Sequence, residues 1–401
     1  MNTTDFLIIG AGIVGLTIAR EVQQRYPDAS VTILEKESRI GEHASGRNSG
    51  VLHSGIYYTA DSLKARFTRD GNIAWQAYCE ERGLALDRCG KLVLATSEHD
   101  FLGLDILEAR AKANQVYVKR LDEYETHQIE RRARTLGRAL FVPSTATIDP
   151  TEVNASISAD FLKTGGVLWP SCEYKKRHNE NVIEAENKKI NAGFIINCAG
   201  LYADRIAQDF GFGQNYTLLP FKGLYLYAES KEVAPRTHIY PVPDLRNPFL
   251  GVHFTRTVDG RVKIGPTAIP VLWREHYNGV SGFNAHEFVE IVWEMSRLFI
   301  HNNNGFRKLS WQEIRKQSKH NLIADSSRLM TEVNEMKFRH WGRPGIRAQL
   351  MNKTTKTLVM DFIIEGDDKS LHVLNAVSPA FTCALPFAKY VVDNFIEAKI
   401  N

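Results

Sequence analysis

Residues 5–20, DFLIIGAGIVGLTIAR, decide the fold. The apolar run Phe6–Ile9 predicts a buried strand that ends at a glycine. Gly10, Gly12 and Gly15 follow with the spacing G-x-G-x-x-G, and the residues after them carry the apolar spacing of a helix. Glycines at this spacing let a pyrophosphate approach the helix N-terminus, where free N–H groups and the helix dipole favour an anion. The stretch therefore predicts a Rossmann-like nucleotide-binding unit.

Glu35 strengthens this prediction. It lies at the end of a second predicted strand, VTILEK at residues 31–36, and follows the last glycine of the motif at the expected distance. A carboxylate at this position is expected to accept hydrogen bonds from the adenosine ribose hydroxyls. A glycine-rich turn without a ligand is the alternative, and the ordered succession of strand, glycines, helix, strand and acid disfavours it.

The segment from Gly41 to Tyr58 indicates which dinucleotide is bound. An NAD-binding domain would continue with alternating strands and helices, whereas this segment is polar and glycine-rich. It suits a larger cofactor that lies extended and needs several backbone contacts, which favours FAD over NAD. A second strand-to-helix turn is predicted in GFIINCAGLYADRIA, residues 193–207, where Ala199 and Gly200 allow the backbone to approach a ligand.

Composition sets broader bounds. The chain has 401 residues, of which 43% are hydrophobic, and a formal net charge of +4. This length predicts two domains, and so small a net charge indicates no nucleic-acid partner. Basic residues cluster at residues 175–177 and at Arg131, Arg132 and Arg134. Solvated surface is the favoured interpretation of these clusters, and contact with an anionic membrane surface is the alternative.

Cysteine usage and apolar runs bear on location. The five cysteines are widely spaced and form no metal-ligand pattern, so neither a disulfide framework nor a metal site is expected. The longest uncharged run, Phe6–Ala19, is too short to span a bilayer. Asp5 rather than a basic segment precedes it, so no signal peptide is expected. These features predict a cytoplasmic protein.

A set of motifs together resembles one family. The motifs are GAGIVG (10–15), GRNSGVLHSGIYY (46–58), CGKL (89–92), NCAGLYADR (197–205), PFKGLY (220–225), IYPVPD (239–244), PFLGVHFTR (248–256), GIRAQ (345–349) and NAVSPAFT (375–382). On these motifs the chain resembles the L-2-hydroxyglutarate dehydrogenase/oxidase family, within the D-amino-acid-oxidase-like flavoprotein superfamily. GAGIVG and CAG are common to many flavoenzymes, whereas RNSGVLHSGIYY together with PVPD and PFLGVHFTR is particular to this family.

The resemblance implies an α/β fold with a discontinuous Rossmann-like FAD-binding domain and an inserted α+β substrate domain. We expect residues 1–85, 140–217 and 338–401 in the first domain, and residues 86–139 and 218–337 in the second. Local patterns agree, because the segment that begins at about Leu218 is rich in aromatic and β-branched residues and contains turn signals. It predicts a mostly antiparallel sheet, followed by helices from about Ala285.

The resemblance also implies which residues hold FAD. They are Gly10, Gly12, Ile13, Gly15, Glu35, Lys36, Ser45, Arg47, Asn48, Ser49, Gly50, Val51, Tyr174, Ala199, Gly200, Ser378, Ala380, Phe381 and Thr382. The backbone amides of the closing helix, after Ser378, are expected to face the flavin pyrimidine ring, where negative charge gathers on reduction.

The implied reaction is the oxidation of a 2-hydroxy acid, in this family L-2-hydroxyglutarate to 2-oxoglutarate, by hydride transfer from the α-carbon to flavin N5. A base must take the hydroxyl proton, and imidazole suits neutral pH. The resemblance places the loop that contains His53 beside the isoalloxazine ring, so His53 is the first candidate for the base, and His253 is the rival. Alternative roles for His53 are to fix the flavin or to carry it covalently.

The substrate carboxylates require cations. Arg347 is the candidate for the α-carboxylate, because a guanidinium binds a carboxylate through two parallel hydrogen bonds. Lys222 or Arg256 is the candidate for the distal carboxylate of a five-carbon diacid, and Tyr240 is expected to line the pocket. Each of these side chains has a structural alternative, in sheet packing or at the surface.

Departures from the family pattern leave other substrates open. Val377, Phe381 and Cys383 stand where relatives carry smaller or different residues, and Pro344 precedes the candidate arginine. A shorter or more apolar hydroxy acid, or an amine or amino acid, is the alternative substrate, and a flavin module without turnover is a third hypothesis. The electron acceptor is expected to be oxygen or a membrane quinone, and the latter requires peripheral contact at the inner face of the membrane.

Overall fold

The computed structural model describes residues 1–245 and 249–398 and divides the chain into two compact units. Unit 1 comprises residues 1–48, 150–220 and the described part of 347–401. Unit 2 comprises residues 49–149 and 221–346. Each unit is therefore assembled from segments that are separated in the sequence.

Ten α-helices occur in the described part of the chain. They are α1 (Ile13–Arg25), α2 (Leu63–Arg82), α3 (Asp100–Ala113), α4 (Glu123–Ile129), α5 (Pro150–Lys163), α6 (Ala203–Asp209), α7 (Ala285–His301), α8 (Phe306–Arg315), α9 (Lys319–Ser326) and α10 (Ala380–Val391). A π-helical segment, Val392–Glu397, continues α10. Helix α7 begins at Ala285, as the sequence predicted.

The strands of the described residues form four sheets. They are β1 (Asn2–Ile9), β2 (Val31–Leu34), β3 (Val51–Leu52), β4 (Leu86–Asp87), β5 (Lys91–Leu94), β6 (Lys119–Leu121), β7 (Ala139–Val142), β8 (Ala146–Ile148), β9 (Val167–Trp169), β10 (Tyr174–Arg177), β11 (Val182–Ala185), β12 (Lys188–Asn197), β13 (Tyr216–Gly223), β14 (Leu226–Ala228), β15 (His238–Pro241), β16 (His253–Arg256), β17 (Val262–Gly265), β18 (Ile269–Pro270), β19 (Phe338–Trp341), β20 (Gly345–Asn352), β21 (Thr357–Leu358), β22 (Ile363–Gly366) and β23 (Ser370–Asn375).

Unit 1 is built on a twisted, mainly parallel sheet. Its strand order is β10-β11-β12-β1-β2-β9, and β23 pairs with the end of β12. Neighbouring pairs β12–β1, β1–β2, β2–β9 and β12–β23 are parallel, and β10, β11 and β22 join as antiparallel strands. This is the Rossmann-like architecture that residues 5–20 predict.

Both faces of the unit 1 sheet are buried, because successive side chains of a strand point to opposite faces. Leu7 and Ile9 of β1 pack with Ile206 and Phe210, which lie in α6 and at its end. Ile8 lies on the other face, where it approaches Gly15 of α1. The continuous apolar run of β1 is thus the pattern of a strand covered by helices on both sides.

Unit 2 is built on a second eight-stranded sheet, with the order β19-β14-β17-β16-β15-β5-β7-β6. Its strands are antiparallel neighbours except β15 and β5, which are parallel. Leu92, Phe254, Ile264 and Met330 belong to the apolar cluster that covers this sheet. The mostly antiparallel sheet predicted from the sequence for the inserted domain is confirmed.

The compact units and the expected domains differ in four segments. Residues 49–85, 140–149 and 338–346 belong to unit 2, although we expected them in the FAD-binding domain, and residues 218–220 belong to unit 1. In unit 2, β3 and β4 both pair with β8 in a three-stranded sheet, and α2 contacts this sheet. A two-residue strand such as β3 carries no sequence periodicity, so its partner could not be read from the sequence. The division into a cofactor domain and a substrate domain stays a prediction.

Among the described residues, every helix is too short or too polar to cross a bilayer.

Candidate cofactor and substrate sites

The predicted nucleotide-binding residues of unit 1 meet at one edge of its sheet. Gly10 follows β1, Glu35 follows β2, and Cys198 follows β12. Parallel neighbours end at the same edge, and ligands of such sheets bind there. Two hydrogen bonds tie the strand ends together, from Gly10 N to Leu34 O at 2.8 Å and from Cys198 N to Ile9 O at 2.9 Å.

Two glycines of the motif are required by the backbone itself. Gly10 has φ +106°, and a Cβ at this position would lie 2.7 Å from the carbonyl oxygen of Cys198. A Cβ on Gly15 would lie 2.0 Å from the carbonyl oxygen of Gly10. Gly12 differs, because a Cβ there would meet only the Ser45 Oγ, at 3.1 Å. Gly12 therefore leaves space at the turn and is not required by the packing of the backbone.

The N-terminus of α1 offers hydrogen-bond donors. Its first backbone bond runs from Leu16 N to Gly12 O, so the N–H groups of Val14 and Gly15 have no partner within the helix. Gly12 provides no side-chain cap, and the first turn contains no acidic residue. A donor set of this kind, at a positive helix end, fits a pyrophosphate.

Glu35 holds the glycine turn in place. It is buried, and its carboxylate accepts hydrogen bonds from Ala11 N and Glu37 N, both at 2.9 Å. Each carboxylate oxygen has a second lone pair with which it can accept a further donor. Its predicted contact with the ribose hydroxyls remains a prediction, and the structure adds that the same side chain fixes the turn.

The loop between β2 and β3 is tied to α1 by Ser45. The Ser45 Oγ accepts a hydrogen bond from Ile13 N at 2.8 Å, and its carbonyl oxygen accepts one from Asn48 Nδ2 at 2.7 Å. Asn154 of α5 donates to the same carbonyl oxygen, and Arg47 Nε donates to the carbonyl oxygen of Glu42. The predicted contacts Ser45, Arg47 and Asn48 are thus brought to the glycine turn.

Lys36 lies beside the same edge in a charged group. Its Nζ contacts the Glu37 carboxylate at 2.6 Å, and His43 Nε2 lies 2.9 Å from the same carboxylate. The hydrogen bond from Lys36 lowers the pKa of Glu37 to about 2. Lys36 Nζ also lies 5.7 Å from the ring centroid of Tyr202, the residue that follows Gly200 by two positions.

The remaining predicted cofactor contacts of unit 1 fall into two groups. Ala199 and Gly200 follow β12, and Ser378, Ala380, Phe381 and Thr382 follow β23 and begin α10. Since β12 and β23 are parallel neighbours, both groups lie at the same edge as the glycine turn. Tyr174 is different: it lies on β10 at the margin of the sheet, where its hydroxyl donates to the Asp209 carboxylate.

In unit 2, His53 lies in a loop whose backbone is held by two buried asparagines. His53 is half-buried and directly follows β3. Asn72 Nδ2 donates to the carbonyl oxygen of Leu52 at 2.9 Å. Asn114 Nδ2 donates to the carbonyl oxygens of Gly55 and Tyr58, both at 3.0 Å. Ser49, Gly50 and Val51, the predicted cofactor contacts that precede it, belong to the same loop and to β3.

His253 is buried on β16 against Tyr240 of β15. The two rings stack with their centroids 3.7 Å apart and their planes 17° apart. His253 Nδ1 lies 2.8 Å from the carbonyl oxygen of Gly251. Because a carbonyl oxygen only accepts, the neutral ring carries its proton on Nδ1, and Nε2 is the atom that can accept a proton. The stacking and the hydrogen bond thus fix the orientation of the ring, and its role as a base stays a prediction.

Lys91 is a buried cation that the sequence analysis did not single out. Its side chain is completely buried at the start of β5, with Nζ 4.4 Å from the ring centroid of Tyr57 and 5.3 Å from that of Tyr240. Among the described residues, no side chain or carbonyl accepts a hydrogen bond from its Nζ, and the hydroxyls of both tyrosines also lack partners. Burial lowers the pKa of Lys91 to about 7. In the sequence, this site is indicated by a lysine at the start of the apolar run KLVL, residues 91–94.

The candidate carboxylate-binding cations differ in their surroundings. Arg256 Nε donates to the Asp87 carboxylate at 2.7 Å, so its charge is already matched. Lys222 is half-buried on β13, and burial lowers its pKa. Within the described part of the chain, Lys222 forms no ion pair. Arg347 is half-buried on β20, at the start of the last segment of unit 1.

The residues of unit 1 fit FAD. The turn requires glycine at two positions and leaves space at Gly12, the end of α1 offers backbone donors, and a buried carboxylate stands at the end of β2. This is an FAD-binding sheet edge of the Rossmann type.

The chain belongs to the FAD dependent oxidoreductase family, which it matches over residues 5–394. It is 33% identical over 403 residues to L-2-hydroxyglutarate dehydrogenase of Escherichia coli (strain K12), an alignment that covers 97% of this chain and 92% of that protein. It is 32% identical over 421 residues to the mitochondrial L-2-hydroxyglutarate dehydrogenase of Homo sapiens, with 98% and 88% covered.

Solved structures agree on the fold. L-alpha-glycerophosphate oxidase from Mycoplasma pneumoniae, determined with FAD bound, superimposes with a TM-score of 0.76 at 21% identity and covers 98% of this chain and 94% of that chain. Glycine oxidase from Geobacillus kaustophilus gives a TM-score of 0.73 at 17% identity, with 100% and 96% covered. The expected cofactor, FAD, and the expected fold are thereby confirmed.

Proposed function

We propose that this FAD-dependent oxidoreductase oxidises L-2-hydroxyglutarate to 2-oxoglutarate. The observation that carries the proposal is the 33% identity over 97% of the chain to a bacterial protein named for this substrate. Mammalian relatives of the same name are 32% to 33% identical over nearly the whole chain. Such a reaction needs a base for the hydroxyl proton and cations for the substrate carboxylates, and the residues predicted from the sequence include candidates for both.

The hydroxyl proton is taken by a histidine. When bound, FAD supplies the acceptor for the hydride that leaves the substrate α-carbon. His53 is the proposed base, since it lies in the loop that Asn72 and Asn114 hold rigid. His253 is the second candidate, supported by the orientation that Gly251 O imposes on its ring. The two assignments predict different variants to be inactive.

The carboxylates are bound by cations. Arg347 is proposed to bind the α-carboxylate through its guanidinium. Of the two cations considered for the distal carboxylate, we favour Lys222, because Arg256 is already paired with Asp87. Burial lowers the pKa of the half-buried Lys222 ammonium, and an anionic ligand beside it would stabilise its charged form.

Electrons leave the reduced protein to oxygen or to a membrane quinone, and we propose a cytoplasmic location that permits peripheral contact with the inner face of the membrane. Oxygen consumption during turnover, compared with reduction of a soluble quinone analogue, distinguishes the two acceptors.

Anaerobic mixing tests the substrate. The purified yellow protein is mixed separately with L-2-hydroxyglutarate, its D enantiomer, glycerol 3-phosphate and glycine, and flavin absorbance is followed. We expect bleaching with the L-hydroxy acid alone. Bleaching with glycine and not with L-2-hydroxyglutarate would show an amino-acid oxidase instead. Bleaching with none of the four would contradict the proposed substrate as well.

A further inference from the structure

Helix α7 of unit 2 exposes three large apolar side chains. Val289, Trp293 and Ile300 are 67%, 63% and 67% exposed, whereas Glu287 and Glu294 are 3% and 8% exposed and are buried together with Ile291 and Leu298. The three exposed apolar residues are spaced four and seven positions apart, so they share one face of the helix. An ordinary surface helix has a polar face in water, and α7 has an apolar one there.

The inward carboxylates have partners inside unit 2. The Glu287 carboxylate accepts a hydrogen bond from Arg274 N at 3.0 Å, and Glu290 lies 3.6 Å from the guanidinium of the same buried arginine. Glu294 is paired with Arg297 at 3.0 Å. The pair Glu294–Arg297 lies within the helix, whereas the contacts of Glu287 and Glu290 with Arg274, together with the burial of Ile291 and Leu298, fix the rotation of α7 about its axis.

Helix α8 adds cations to an exposed tryptophan. Trp311 is 62% exposed, and Arg307, Lys308, Ile314 and Arg315 lie three or four positions from it, on the same surface of the helix. All four of these neighbours are exposed. The carboxylate of the helix, Glu313, is buried, where it accepts from Ala268 N at 2.6 Å and contacts Lys316.

Arg307 links the two helices. Its Nε donates to Phe299 O at 2.7 Å and its Nη2 donates to Ile300 O at 2.8 Å, both near the end of α7. We call the exposed residues Val289, Trp293 and Ile300 of α7, together with Arg307, Lys308, Trp311, Ile314 and Arg315 of α8, the α7–α8 face.

Exposed apolar residues concentrate in this part of the chain. Of the nineteen large hydrophobic side chains that are exposed among the described residues, nine lie between residues 272 and 314. They include Val280 and Phe283, 83% and 54% exposed, in the turn before α7. From residue 283 to residue 320 there is no aspartate, and every glutamate is buried or half-buried. The surface thus combines indole and aliphatic groups with positive charge and lacks exposed carboxylates.

We propose that the α7–α8 face docks onto the surface of an anionic phospholipid bilayer. Indole rings are favoured at the level of the lipid headgroups, aliphatic side chains bury in the adjoining acyl region, and lysine and arginine attract anionic lipids. This inference rests on the peripheral membrane contact proposed above and assigns that contact to one face, and it does not depend on the identity of the substrate.

Charge argues for a bilayer over a second copy of the chain. In a two-fold dimer the same patch meets itself, so the cations of α8 would be placed in an interface that offers no exposed carboxylate to pair with them. In the basic clusters noted in the sequence, Lys175, Lys176, Arg131 and Arg132 each contact a glutamate, so part of the positive charge of these clusters is already matched.

Vesicle flotation tests the proposal on the FAD-loaded protein. We expect the protein to float with vesicles of phosphatidylcholine and phosphatidylglycerol, not with phosphatidylcholine alone, and less at high salt, since salt screens surface charge. The double variant Trp293→Ser/Trp311→Ser should lower the partition coefficient about tenfold or more, because burial of each large apolar group contributes on the order of one factor of ten. The charge variant Lys308→Glu/Arg315→Glu should abolish the preference for anionic vesicles.

Matched controls lie elsewhere on unit 2. Tyr117→Ser/Tyr124→Ser removes two aromatic side chains that are 71% and 73% exposed, and Arg131→Glu/Lys231→Glu reverses two exposed charges. Both controls should bind vesicles as the unaltered protein does. Quenching of tryptophan fluorescence by brominated lipid, measured on the unaltered protein, requires no variant and should disappear in the tryptophan double variant.

Three results would overturn the proposal. The first is failure of the unaltered protein to float with anionic vesicles at low salt. The second is equal binding by the tryptophan variant and its tyrosine control. The third is a dimer, measured by sedimentation without lipid, that dissociates in the tryptophan variant while no vesicle binding occurs; this would assign the face to a second copy of the chain.

Discussion

Tyr240 stacks on His253 at a centroid distance of 3.7 Å, and the buried Lys91 lies near the same tyrosine ring. The amine of Lys91 lies 5.3 Å from the Tyr240 ring centroid. The imidazole ring is therefore fixed by two contacts, the aromatic face of Tyr240 and the carbonyl oxygen of Gly251. His53 and His253 of unit 2 are the two candidate bases, and kinetic measurements on variants distinguish them.

Replacing the base should slow flavin reduction without loss of FAD. A positioned general base contributes about 10²–10⁴-fold to the rate, so we expect His53→Ala to lower the anaerobic reduction rate by that factor with L-2-hydroxyglutarate. The exposed His320→Ala variant is the control and should reduce normally. Stopped-flow absorbance measures the rate. A large loss in His253→Ala together with a near-normal rate in His53→Ala would transfer the role to His253.

Lys91 should make stability depend on pH. Burial lowers its pKa from 10.5 to about 7, so between these pH values the folded protein binds fewer protons than the unfolded chain, and stability rises with pH. The destabilising contribution is fully present below pH 7 and is lost as the pH approaches 10.5. Lys91→Met should therefore be more stable than the unaltered protein at neutral pH, by about 1–3 kcal/mol for removal of an unsatisfied buried amine.

Melting curves recorded at several pH values check this prediction. The gain from Lys91→Met should shrink steadily as the pH rises above 7. Lys231→Met, at an exposed lysine, is the matched control and should show the same pH dependence as the unaltered protein. A gain that stays constant across the pH range would contradict a depressed pKa at Lys91.

The loop that contains His53 should depend on Asn114. This buried side chain donates to Gly55 O and Tyr58 O, and its removal leaves two carbonyl oxygens without a protein donor from this residue, at a cost of about 1–3 kcal/mol. We expect Asn114→Ala to lower both the melting temperature and the rate of flavin reduction. Asn334→Ala, at an exposed position, should change neither. An unaltered reduction rate in Asn114→Ala would show that this asparagine supports stability alone.

Unit 1 could be predicted from the sequence because its signals are local. The apolar run of β1, the glycines that follow it and Glu35 each lie within a short segment, and the physics of a helix N-terminus links them. Tyr174 shows the limit of that reasoning, since only the strand order places β10 at the sheet margin. The assignment of residues 49–85 likewise depends on the pairing of β3 with β8, which no local pattern encodes.

Unit 2 was predictable in class and less so in detail. Alternating residues predicted its antiparallel sheet, but the burial of Lys91 between two tyrosines results from contacts of residues distant in the sequence. The α7–α8 face is similar. Its sequence contains ordinary numbers of acids and apolar residues, and only the contacts of Arg274 with Glu287 and Glu290 determine which of them face outward.

The glycine motif offers a test that separates cofactor binding from folding. Gly12→Ala should retain the fold, because the new Cβ meets only a serine oxygen at 3.1 Å, but should weaken FAD binding by filling the space in which the pyrophosphate approaches. Overpacking of about 1–3 kcal/mol corresponds to a rise in the FAD dissociation constant of roughly 5- to 150-fold.

Gly15→Ala should instead destabilise the apoprotein, since its Cβ would lie 2.0 Å from a backbone oxygen. Gly137→Ala, with φ +67° and no atom within 4 Å, should lower the stability of the apoprotein through backbone strain without changing the FAD affinity, and it therefore controls for destabilisation alone. Flavin fluorescence titration and apoprotein melting measure the two effects, and equal FAD affinity of Gly12→Ala and the unaltered protein would place the pyrophosphate elsewhere.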